Sequence, residues 1–160
     1  MHASKFNAHG INALIGDRRM PTWLLAACGC WLLALGMYFI AVRPSLLPED
    51  LRFIGSTAKQ IHEHAPGLAR WLNRVFIVMG GFMAGAGVLT LFVALKVLPS
   101  RLKGSAPTLA LSGLLTVALM SATNFALDSD FKWLLLIPAL AWLAGFIAYV
   151  CGSDCLSPRR

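Results

Sequence analysis

Apolar and polar positions divide the chain into four long apolar runs joined by one long and two short polar connections. The runs cover about residues 22–42, 71–97, 107–127 and 132–151. Each approaches or exceeds the ~20 residues that carry a helix across about 30 Å of hydrocarbon. The pattern predicts an all-α protein with a four-transmembrane-helix bundle at 21–152, preceded by a flexible N-terminal arm at 1–20 and followed by a tail at 153–160. The first run is too long, and lacks the small-residue cleavage site, to read as a signal peptide. Pro138 predicts a kink in the fourth run.

The long connection has a pattern of its own. Leu47, Leu51, Ile54, Ala58, Ile61 and Ala65 recur in steps of three and four, the spacing of one helical face. Pro48 suits a first helical position, Glu49 and Asp50 favour the first turn, and Pro66 stops the helix. The opposite face carries Arg52, Ser56, Lys59, Gln60 and Glu63. One amphipathic interfacial helix over about 48–64 is therefore expected to lie flat at headgroup level, weakened at Gly55.

Composition agrees with a membrane setting: 58% of residues are hydrophobic and 13% charged, against roughly 25% charged in soluble domains. The net charge of +7 comes from Lys and Arg scattered at the ends of apolar runs, so it implies membrane lipid as a partner and no nucleic acid. Lys5, Arg18, Arg19, Lys96, Arg101, Lys103, Arg159 and Arg160 share one side, while Arg43, Arg52, Lys59, Arg70, Arg74 and Lys132 are spread over a longer stretch of the other. That bias predicts a multi-pass protein with both termini in the cytoplasm.

Five groups of residues invite a chemical reading. Arg70 and Arg74 lie one turn apart beside Trp71, either an interfacial anchor or a pair binding an anionic headgroup or ligand. Gly80, Gly81, Gly85 and Gly87 include a G-x-x-x-G (Gly81, Gly85) and suit close helix packing, against another span or a second copy or membrane-protein partner. Thr108, Ser112, Thr116, Thr123 and Asn124 form a polar stripe on the third run leading to Asp128; it suits helix-to-helix hydrogen bonds, or a path for a small solute or proton. No Asp, Glu, Lys, Arg or His interrupts the middle of any run, which weighs against a transporter. Cys28, Cys30, Cys151 and Cys155 offer four thiols that converge at the cytoplasmic end if a metal is held there. Cys28 and Cys30, however, point about 200° apart on a helix, and neither pair has the usual C-x-x-C spacing. His62, Glu63 and His64 do not share a face and lack the H-E-x-x-H pattern. No catalytic residue and no cofactor is read from the chain.

The segments ALGMYFIAVRPSLLPEDLRFIG and WLNRVFIVMGGFMAGAGVL resemble small bacterial four-span membrane proteins known only as families of uncharacterised function. The shared features are a proline-containing outer loop, an Arg before a Gly-Gly, and a further Gly; Arg74, Gly80, Gly81 and Gly85 stand in those places. Covering about residues 30–100, the resemblance implies a compact inner-membrane bundle and no activity. The arginine- and glutamate-rich signature of four-span glutathione-utilising membrane enzymes is absent. The leading expectation is a non-enzymatic membrane protein working through helix packing and an outer-face lipid or protein contact surface. A carrier using the third run, and a thiol or metal site, are the alternatives.

Overall fold

A computed structural model describes residues 19–154, all in helices or their connections, with no strand among the described residues. The arm at 1–18, including His2 and His9, and the tail with Cys155 lie outside the described residues. Helix α1 is Arg19–Ala41. It stops where Arg43 precedes Pro44, a step that disfavours helical backbone; the Val42 and Arg43 N–H groups both close on Tyr38 O at 2.9 Å.

Two short helices come next, α2 at Pro48–Ile54 and α3 at Ala58–His64. This corrects the single helix expected over 48–64. Gly55 takes a left-handed φ of 71°, ending α2, and its N–H bonds back to Leu51 and Arg52 O. Thr57 then starts α3 anew: its hydroxyl accepts from Gln60 N–H while Gln60 Oε1 accepts from Thr57 N–H, a capping box. A turn signal and a cap signal two residues apart outweigh the apolar periodicity that runs through both.

Helix α4, Leu68–Phe92, continues through a π turn at Val93–Val97 and a 3₁₀ turn at Leu98–Ser100. The third span comprises α5 (Ser105–Gly113), a π turn (Leu114–Ala118) and α6 (Leu119–Ala126). Helix α7 is Lys132–Asp154, with Pro138 inside it. Four helical stretches, Met20–Ala41, Leu68–Ser100, Ser105–Ala126 and Lys132–Gly152, are long and apolar enough to cross a membrane. The protein is a multi-pass, all-α membrane protein.

Helix α1 packs along α4 on one side and α7 on the other, and α7 packs along the third span. The closest of these contacts is built on glycine. Gly29 meets Gly87 and Gly36 meets Gly80, antiparallel and seven residues apart on each helix. A methyl group on Gly36 would lie 2.5 Å from Ala84 N and 2.6 Å from Gly80 O; one on Gly87 would lie 2.5 Å from Leu33 N. The two backbones are thus in direct contact, where dispersion and Cα–H···O contacts supply association that the hydrophobic effect cannot supply within lipid. Elsewhere Gly113 receives the edge of the Trp142 indole.

The π turns explain a second regularity. Leu109, Gly113, Val117 and Ser121 are all buried, although steps of four drift about 40° each on an ordinary α-helix. The wider π turn at Leu114–Ala118 absorbs that drift and keeps the row facing α7. Ala94 and Leu98, also four apart and buried, lie within and just after the π turn near the end of the second span.

Candidate functional site

The two connections 42–67 and 127–131 lie at one end of the bundle, here termed the loop face. Its polar side chains form a continuous clasp. Arg43, with 9% of its side chain exposed, lies with its guanidinium 3.6 Å from the Phe76 ring centroid and 5.1 Å from that of Phe39. Its Nη2 reaches Asp50 Oδ2 at 3.3 Å, and Asp50 in turn accepts the Leu47 N–H at 2.8 Å, fixing the start of α2. Arg43 thus ties the end of α1 to α4 through the aromatic face and to α2 through the carboxylate.

One residue before Asp50, Glu49 Oε2 accepts from Ser129 Oγ–H at 2.9 Å and from Asp130 N–H at 3.0 Å. Ser129 is buried. Arg52 Nη2 donates to Asp130 Oδ2 at 2.6 Å, and Lys132 donates to Asp128 across one turn. Helix α2 is therefore held from beneath by Arg43 and laterally by the loop between spans three and four. This arrangement was not legible in the sequence. The bonds that join α2 to the 127–131 loop link residues 78 to 81 apart, so no local spacing announces them; Arg43 registers only as a topology charge, and Arg52 as that and as one residue of a polar face.

With Lys59–Glu63 at 3.9 Å added, every acidic residue of the loop face has a partner within the described residues. Asp128 sits at φ 50°. The Lys132 ammonium, by hydrogen bond and then by charge, holds its carboxyl below the ordinary value of 3.8. A lowered folded-state pKa makes this pair's contribution complete above the unfolded value and lost as pH falls through the folded one. A carbon-detected NMR titration is accordingly expected to find Asp128 ionising below 3.8, and Lys132→Met to return it to the ordinary range. The side chain is open to water, so the effect on stability is small.

Arg70, Trp71 and Arg74 are all exposed on α4, and neither arginine makes an ion pair or hydrogen bond among the described residues. The glycines divide. Gly80 and Gly87 are buried against α1, whereas Gly81 and Gly85, the G-x-x-x-G itself, have open space around them. Of the four glycines expected at a helix contact, with another span or with a second copy, a spacing of seven with Gly29 and Gly36 as counterparts selects Gly80 and Gly87 for the contact within the chain and leaves Gly81 and Gly85 facing outward.

The polar stripe does not form one interior row. Thr108 Oγ1 donates to Gly104 O, Thr116 Oγ1 to Ser112 O and Asn124 Nδ2 to Met120 O, each one turn back along the chain. Thr108, Thr123 and Asp128 are exposed. The physical reason is that the row facing α7 is Leu109, Gly113, Val117 and Ser121, and Thr108, Ser112 and Thr116 each precede a member of it by one residue, about 100° around the helix. The buried hydroxyl of this span is Ser121 instead.

The cysteines also separate. Cys28 is buried and donates its thiol hydrogen to Pro138 O at 3.2 Å, while Cys30 and Cys151 are exposed. Among the described residues no three His, Cys, Asp or Glu side chains come together. His62, Glu63 and His64 are exposed, with His64 Nδ1 2.9 Å from Gln60 O of its own helix. At the opposite end of the molecule, a cleft of about 20 Å³ lined by Pro21, Thr22, Leu98, Pro99, Arg101 and Tyr149 has room for about one water molecule.

Comparisons with protein-family models, curated proteins and solved structures find no match. The class of protein, a multi-pass helical membrane protein with a clasped polar face, rests on the chain's own geometry.

Proposed function

We propose that this chain is a small, non-enzymatic protein of the bacterial inner membrane that works through its loop face, a contact surface for lipid or for a membrane-protein partner. Both termini lie in the cytoplasm and the loop face outside on this reading, in keeping with the Lys and Arg distribution. It keeps the chain with the small four-span families of uncharacterised function that its loop and Gly-Gly segment resemble.

The observation that carries the reading is the clasp. A mere connector has no need of Arg43–Asp50, Glu49–Ser129 and Arg52–Asp130. Held by these, α2 turns Phe53 and Ile54 outward, 68% and 48% exposed. Side chains of that size, fixed at the level of the headgroups, suit contact with acyl chains or with another apolar surface.

A photoreactive phenylalanine analogue at position 53, activated in native membranes, tests this. A discrete lipid or protein adduct is expected, and it should fall sharply when Glu49→Ala and Asp130→Ala release α2. An adduct pattern no different from that of a probe at the exposed Lys103 would contradict the reading.

A further inference from the structure

The charges of the loop face do not all pair internally. Its six basic residues are Arg43, Arg52, Lys59, Arg70, Arg74 and Lys132. Four of them are matched to Asp50, Asp130, Glu63 and Asp128. Glu49 is taken up by the Ser129 hydroxyl and the Asp130 N–H. Arg70 and Arg74, one turn apart and exposed, have no internal anion among the described residues.

Both stand above a distinct face of α4. Gly81 and Gly85 come seven and eleven residues after Arg74, within about 20° of its direction, and Val78 and Val88 flank them within about 40°. All four are exposed, the valines at 59% and 53%, and a side chain added at either glycine would meet nothing within 4 Å. Gly80 and Gly87, which meet α1, point elsewhere on the helix. The outward face therefore has two guanidinium groups at its head and a shallow apolar furrow below.

Membrane depth fits the same picture. The second span has 33 residues, about 50 Å of helix, well beyond ~30 Å of hydrocarbon. A helix of that length leaves turns outside the hydrocarbon, and Arg70, Trp71 and Arg74 in its first turns are the residue types that anchor at headgroup level. From Arg74 to Gly85 the helix rises about 16 Å, close to the ~15 Å depth of one leaflet.

We infer that this face of α4 binds an anionic glycerophospholipid, its phosphate between Arg70 and Arg74 and an acyl chain along the Gly81–Gly85 furrow. A planar guanidinium offers two parallel N–H donors to phosphate oxygens. With the loop-face carboxylates already engaged, no internal anion competes for them. A zwitterionic lipid brings its own cation to the same place and is disfavoured. The inference rests on the contact-surface reading above and gives it a partner class, on a face separate from Phe53.

Native mass spectrometry of the full chain in detergent, with phosphatidylglycerol or phosphatidylcholine of identical chains added, tests it. Phosphatidylglycerol is expected to be retained about tenfold more strongly, because the choline cation of the other lipid offsets the attraction of its phosphate to the two guanidinium groups. Arg70→Gln with Arg74→Gln should abolish that preference, and Arg70→Lys with Arg74→Lys should keep part of it. Gly81→Leu with Gly85→Leu should weaken retention of both lipids. Millimolar glycerol phosphate should not displace the lipid, because it lacks the chain that fills the furrow; displacement would mean that a free phosphate is the ligand and would overturn the inference. So would equal retention of the two lipids, or a preference unchanged in the glutamine variant. A dimer lost in the leucine variant with lipid retention unaltered would assign the furrow to a second copy instead. Any of these, with Phe53 adducts intact, removes the lipid site and leaves the contact-surface reading standing.

Discussion

Gly36→Leu is expected to prevent α1 and α4 from packing and to cost more than any other single substitution in the protein. The added side chain has nowhere to go, because backbone atoms of Ala84 and Gly80 stand 2.5 and 2.6 Å from its first carbon. Overpacking among side chains costs about 1–3 kcal/mol. Here the obstacle is backbone, which cannot change rotamer, so a loss above about 3 kcal/mol is expected. Gly80→Leu meets Gly36 O at 2.6 Å and should behave alike. Gly85→Ala provides the contrast: with open space around it, it should be neutral or stabilise by about 0.5–1 kcal/mol through helix propensity. Detergent-denaturant titration monitored by circular dichroism measures all three. Similar losses at positions 36 and 85 would refute the assignment of the inner and outer glycine faces.

The second large effect is expected at Arg43. Arg43→Ala leaves the partly buried Asp50 carboxylate without its cation and strips the Phe39 and Phe76 rings of theirs. An unmatched carboxylate of this kind costs about 1–3 kcal/mol, and the cation–π contact adds about 0.5–2 kcal/mol. Arg43→Lys should recover only part of the loss, because an ammonium cannot lay a planar face on Phe76 while reaching Asp50. Arg43→Ala with Asp50→Asn should be milder than the sum of the two single changes, since the second removes the charge that the first strands. Strict additivity would mean that Arg43 acts only by filling space.

These two sites illustrate how far the chain's pattern reaches. Four apolar runs of spanning length state the all-α membrane architecture directly, because lipid admits few ways of satisfying the backbone. The glycines were visible, but their division was not. G-x-x-x-G at Gly81 and Gly85 is the familiar local motif, whereas the pairing of Gly29 with Gly87 and Gly36 with Gly80 needs two helices placed side by side. The amphipathic period through 47–65 was real, yet Gly55 and the Thr57–Gln60 cap cut it in two. The stripe on the third span failed for another reason: the buried row runs through Leu109, Gly113, Val117 and Ser121, one residue past Thr108, Ser112 and Thr116, and which row meets a neighbour is set by packing rather than by polarity. The clasp was hidden most completely, since charges such as Glu49 and Asp130 acquire meaning only once the loops meet.

The most direct test of a loop face built as one held surface is the exchange rate of the Asp130 amide, which donates to Glu49 Oε2 at 3.0 Å. Measured by amide hydrogen exchange in lipid nanodiscs, that amide and those of Leu51–Ile54 should be protected together and lose protection together in Glu49→Ala. An unprotected Asp130 amide in the unaltered protein, or one indifferent to Glu49→Ala, would contradict the clasp and the contact surface that depends on it.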